Sequence, residues 1–115
     1  MRVPVGPLPG RVQKPTSSTG QWEASVSVGG LVTGEAGIWE CDEGRFTSDR
    51  TTFAEVCFIL SGRADIISDA TAETLTVGPG DLFVLPRGWI GTWEIREAIR
   101  KVYVTLPDLP EELGR

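Results

Sequence analysis

Histidine is absent from the 115 residues of the chain, which also has only two cysteines, one methionine and one tyrosine. Without imidazole, Ser-His-Asp and Cys-His nucleophilic catalysis is excluded, as is imidazole acid/base chemistry. So is every zinc, iron, copper or manganese site that relies on ring nitrogen. Chemistry is left to carboxylates, arginines, the tyrosine, the thiols and the backbone. Cys41 and Cys57 are too few for a disulfide framework. They read as buried free thiols, which pack as small apolar side chains.

Long apolar runs are missing too. The longest, such as Val56–Leu60 and Leu82–Leu85, are four or five residues, far short of the roughly 20 that span a bilayer. Residues Met1–Pro7 are broken by proline and glycine and have no apolar signal core. The expectation is a cytoplasmic protein with no membrane partner. Basic residues are outnumbered 11 to 16, for a net charge of -5, and are scattered along the chain. Nucleic acid is not an expected partner, because binding its backbone needs a concentrated basic surface.

A chain of this length makes one domain and can bury a core of its own without disulfides. Residues 1–20 carry Pro4, Pro7, Pro9 and Pro15 and no periodicity of 2 or 3.6. They read as an extended arm, either mobile or laid across a neighbouring surface, ahead of a domain over 21–115. From Trp22 to Val28 apolar residues alternate strictly, as in a half-buried strand. Further strands are expected near 35–41, 44–47, 52–60, 63–68, 73–77, 81–85, 90–96 and 98–106. Turn chemistry separates them at Asp42-Glu43-Gly44, Ser61-Gly62, Ser68–Thr71, Gly78-Pro79-Gly80 and Pro86-Arg87-Gly88. Only Pro107–Leu113 has the pattern of a short helix. The fold class is therefore all-β, a sandwich or closed barrel, with a jelly roll the natural candidate.

The segment Gly44-x5-Arg50-x-Thr52-x2-Glu55-x6-Gly62 resembles the first cupin motif, G(X)5HXH(X)3-4E(X)6G, with both histidines replaced and one residue fewer before the glutamate. Gly80–Gly91 resembles the second, G(X)5PXG(X)2H, with Gly91 at the histidine position. With Gly37–Cys41, Ile59–Gly62, Gly91–Glu94 and Arg100–Val104, the chain is similar to small single-domain cupins of the DUF861 (Cupin_3) branch, grouped with the cupin domain of (S)-ureidoglycine aminohydrolase. The resemblance implies an RmlC-like jelly-roll barrel over roughly 22–106, commonly dimeric. Metal-binding members take two histidines and a glutamate from the first motif and a histidine from the second. Those positions here hold Arg50, Thr52, Glu55 and Gly91. One ligand of four does not hold a transition metal, so neither a metal cofactor nor the metal-dependent activity is expected.

If Glu55 points inward, as the motif implies, the strand period puts Phe53, Cys57 and Ile59 on its face and Val56, Phe58 and Leu60 on the other. Both faces are apolar, so a second sheet or, preferably, a second copy of the chain should cover the outer one, with the arm as a candidate to cross it. Gly91, Trp93 and Ile95 point inward; Thr92 and Glu94 point outward. The candidate ligand-binding residues are Arg50, Thr52, Phe53, Glu55, Cys57, Trp93 and Tyr103. Arg50 stands near the mouth to grip a carboxylate or phosphate, and Trp93, Phe53 and Cys57 form walls. Glu55 is either a structural carboxylate paired with Arg50 or Tyr103, or an unpaired one with a raised pKa and a candidate catalytic acid/base. A Cys57/Glu55 soft metal site or reactive thiol is a sharper alternative. Trp39 and Trp93 also read as core, Arg87 as a solvated turn residue, and Glu40 and Glu94 as outward charges bridged to Arg100 or Lys101.

Three functions stay open: a metal-free cupin that binds a small polar metabolite and turns it over or only binds it, a non-catalytic dimeric scaffold, and a divergent metalloenzyme.

Overall fold

The computed structural model describes residues 6–28 and 34–106. Those residues form strands β1 (Val12–Gln13), β2 (Trp22–Ser27), β3 (Glu35–Cys41), β4 (Gly44–Arg50), β5 (Ala54–Ser68), β6 (Thr74–Val77), β7 (Leu82–Leu85) and β8 (Trp89–Leu106). Every pairing is antiparallel. No helix occurs among the described residues; the helix expected at 107–113 lies outside them.

Two long strands organise the fold. β5 and β8 pair along their whole length, Ala54 with Leu106 at one end and Ser68 with Gly91 at the other. Their outer partners change midway. The C-terminal half of β8 pairs β3 and the N-terminal half of β5 pairs β7, whereas their other halves pair β4 and β6. Both strands thus belong to two layers, β1-β2-β3-β8-β5-β7 and β4-β8-β5-β6, which fold over each other. The bend falls at the register shifts between Ile59 and Ala64. Gly62, at φ 92°, takes a conformation there that a side chain disfavours.

This corrects the expected boundaries. Ser61-Gly62 is a bulge inside one strand, not a turn between two, and 90–96 joins 98–106 as one strand. Turn-type residues satisfy a bulge as well as they do a hairpin.

The space between the layers is filled by an apolar core that includes Phe46, Cys57, Ile59, Ile66, Trp93, Ile95 and Ile99. A smaller cluster sits on the outer face of β2 and β3, where Leu8 of the arm covers Ala24 and Ile38. Leu8 is 3% exposed, and burying a leucine contributes roughly 2 kcal/mol. Polar bonds add to the docking: Leu8 N donates to Glu40 Oε1 at 3.0 Å, and Ser18 N to the Arg45 carbonyl at 3.0 Å. Residues 6–20 thereby lie over the chain's own sheets. On the outer face of β5 and β7, Phe58, Leu60, Leu82 and Val84 are exposed among the described residues.

Candidate functional site

The inner face of the larger layer is arranged in rows across neighbouring strands. Glu35 pairs Thr105, which pairs Glu55; Trp39 pairs Lys101, which pairs Ile59. Alternation along β8 that points Trp93 and Ile95 inward also points Ile99, Lys101 and Tyr103 inward. Lys101 therefore sits inside the barrel with only 4% of its side chain exposed. The expectation that it bridges Glu40 or Glu94 on the surface is corrected: Arg100 pairs Glu40 at 2.7 Å, and Arg45 pairs Glu94 at 3.0 Å.

Lys101 Nζ is 2.7 Å from Glu55 Oε2, while Arg50 Nε donates to Glu55 Oε1 at 2.6 Å. Cys57 Sγ donates to Glu55 Oε2 at 3.3 Å. Rings of Trp39 and Trp93 flank the ammonium at 4.7 and 4.6 Å, close enough for cation–π attraction. Burial is the largest influence on Glu55 and acts to raise its pKa; the cations Lys101 and Arg50 outweigh it and hold the carboxyl below its usual value. Glu55 is thus an ionised, paired carboxylate, and the reading of an unpaired acid/base with a raised pKa is corrected. Arg50 is the partner foreseen from sequence; Tyr103 is not, since its hydroxyl donates to Glu35 Oε1 at 2.9 Å. Burial also pushes the Cys57 thiol up to about 12, which removes the thiolate that a reactive or metal-binding role needs.

A cavity of about 250 Å³ opens beside this network. Arg50, Phe53, Glu55, Trp93 and Tyr103 line it, as do Lys14, Glu35, Trp39 and Lys101. Thr52 does not: β4 ends at Arg50, and Thr52 is exposed beyond it. Cys57, fully buried, does not reach the cavity either. Ser48 shares the inner face of β4 with Phe46 and Arg50, and Ser48-x-Arg50-x4-Glu55 satisfies the longer spacing of the motif. Aligning on Gly44 hides that register.

Lys14 is a contribution of the arm. Its Nζ bonds Glu23 Oε1 at 3.1 Å and lies 4.4 Å from the Phe46 ring centroid. Trp39 Nε1 donates to the same Glu23 oxygen at 2.9 Å. Trp93, 1% exposed, stacks on Phe46 with centroids 5.9 Å apart. It is therefore part of the core and also forms a wall of the cavity.

The metal site implied by the motif does not fit these residues. Arg50 brings a cation, Thr52 is outside, and Glu55 is engaged by two cations. At Gly91 an added Cβ would meet the Trp89 ring at 2.4 Å and the Ile67 carbonyl oxygen at 2.2 Å. The space for a fourth ligand is filled by indole. Among the described residues no three His, Cys, Asp or Glu side chains group to hold a metal.

A two-layered antiparallel roll with a polar cavity between long shared strands defines a cupin. The chain belongs to the family of EutQ-like cupin domains, whose model matches residues 28–103. Among solved structures it is similar to the EutQ protein of Clostridium difficile, at 21% identity and a TM-score of 0.71 over 83% of this chain and 75% of that one. A protein of unknown function from Rhizobium leguminosarum is 31% identical, with a TM-score of 0.65 over 75% of this chain and 82% of the other. A DUF861 family protein from Thermotoga maritima is 30% identical, with a TM-score of 0.54 over 57% and 73% of the two chains. No functionally curated protein sequence matches the chain.

Proposed function

We propose that this cupin binds a small carboxylate-bearing metabolite in the barrel cavity without a histidine-ligated metal, using Arg50 as the anion grip. The observation that carries the reading is the unfinished bonding of Arg50. Its Nε bonds Glu55 and its Nη1 bonds the Asp49 carbonyl at 3.0 Å, whereas Nη2 has no partner among the described residues. A guanidinium edge with a free donor, set in an aromatic cavity, suits a planar carboxylate. Glu55 cannot be neutralised further by a ligand cation, since Lys101 and Arg50 already do so; its part is to hold the two cations in place. At about 250 Å³ the cavity lies below the roughly 300–1,000 Å³ typical of drug-sized sites, so the ligand is small.

Thermal unfolding in acetate, lactate, succinate and phosphate, matched in ionic strength to chloride, tests the reading. A carboxylate should raise Tm in a concentration-dependent way, and Arg50→Gln should abolish the rise. Equal Tm in every anion would contradict it.

Self-association is the second part of the proposal. Phe58, Leu82 and Val84 form an uncharged outer face, with Phe58 paired to Leu82 and Val56 to Val84 across β5 and β7. A second copy of the chain is the occupant proposed for it.

A further inference from the structure

The cavity also carries a carboxylate that none of its cations neutralises. Lys14 is paired with Glu23 at 3.1 Å, and Lys101 with Glu55 at 2.7 Å. Arg50 shares Glu55 with Lys101, so the surplus positive charge of the cavity resides at Arg50. Glu35 lines the same cavity and forms no ion pair among the described residues. Its bond from Tyr103 occupies one acceptor position of the several that a carboxylate offers.

The sheet fixes how the two charges stand. Glu35, Thr105 and Glu55 form one lateral row on the inner face, so the Cα atoms of Glu35 and Glu55 are about 10 Å apart, two strand spacings. Arg50 is bonded to the Glu55 end of that row. Tyr103 steadies the other end: burial first, and then its bond to Glu35, raise the pKa of the phenol, so the hydroxyl stays a neutral donor. The cavity is thus bipolar among the described residues, with a guanidinium donor at one end that no described residue engages and a carboxylate at the other that no described cation pairs.

We infer that the ligand is a small zwitterion, with its carboxylate on Arg50 and an ammonium group on Glu35. This rests on the anion-binding reading above and narrows it. A dicarboxylate would set like charge against Glu35, and a simple monocarboxylate would leave Glu35 beside it unpaired; each is disfavoured relative to a ligand that carries both charges.

Isothermal titration of the full chain with β-alanine, 4-aminobutyrate and 6-aminohexanoate, each beside its amine-free counterpart, and with butylammonium chloride, tests the inference. The best-spanning amino acid should bind about fivefold tighter than its counterpart, the upper range for a partly exposed ion pair. Glu35→Gln should erase that preference without weakening the amine-free acid, while Arg50→Gln should weaken both. Equal affinity for the amino acids and their counterparts, or a preference that survives in Glu35→Gln, would overturn the zwitterion and leave anion binding standing. Absence of binding by any carboxylate overturns both. Unfolding curves for the two variants show whether each is folded.

Discussion

Lys101 Nζ lies 2.7 Å from Glu55 Oε2, and both side chains are 4% exposed. Without Lys101 the buried Glu55 keeps Arg50 as its remaining cation, so the cost is a part of the roughly 3 kcal/mol of a fully broken buried pair. Lys101→Met should therefore lower Tm by several degrees, up to about 10 °C. The double variant Lys101→Met/Glu55→Met should recover at least half of that loss, because no buried carboxylate remains to be paired. A double variant as unstable as the sum of the single ones would assign the effect to packing against Trp39 and Trp93 rather than to charge.

Acid should act through the same carboxylate. Because the folded-state pKa of Glu55 is below its ordinary value of 4.5, the folded protein holds this proton less tightly than the unfolded chain. Its contribution is complete above that ordinary value and is lost as pH falls through the folded one. The exposed Asp49 and the half-buried Asp65 are also lowered, by bonds from Thr51 and from Thr76 and Arg96 respectively. They leave a residual acid dependence once Glu55 is gone. Plots of Tm against pH for wild type and Glu55→Gln should converge as pH falls below the ordinary value of 4.5; parallel curves would contradict the assignment.

Both thiols should be inert in the folded protein. Cys41 and Cys57 are 2% and 0% exposed, and burial raises each pKa to about 12. Iodoacetamide at pH near 8 should label them only at the rate of unfolding. Labelling within seconds in native buffer, detected by intact mass, would contradict the burial.

The outer face offers a test of self-association. Phe58→Glu combined with Leu82→Glu places charge on a face that is otherwise apolar, at positions 37% and 68% exposed. Light scattering should show a dimer for the wild type and a monomer for the variant, with little change in the core. A wild-type monomer at high concentration would remove the second copy.

Much of this was legible in the sequence, and the rest was hidden for definable reasons. Strict alternation and Gly-Pro turns gave the strands, and the two motif frames gave the roll. The motif resemblance put Glu55 inward and Arg50 beside it, and the strand period then put Phe53 and Trp93 on the inward face. The long strands were missed because a bulge at Ser61-Gly62 looks like a turn until pairing with β8 is known. Lys101 was missed although its signal was present: carrying the inward parity of Gly91, Trp93 and Ile95 onward reaches position 101. A lysine in that slot reads as surface because an unpaired buried ammonium is costly, and its partner is distant in sequence. Lys14 and Glu35 carried no local signal, since a proline-rich arm and a strand end meet the site only through tertiary packing.

The most direct test of the central claim is titration of the full chain, treated with EDTA and checked by elemental analysis for residual metal, with the best carboxylate from the thermal screen. Saturable binding that is unchanged by EDTA and lost in Arg50→Gln is predicted. Binding that appears only on adding a divalent cation, or that persists undiminished in Arg50→Gln, would contradict a cupin whose cavity grips its ligand through its own cations.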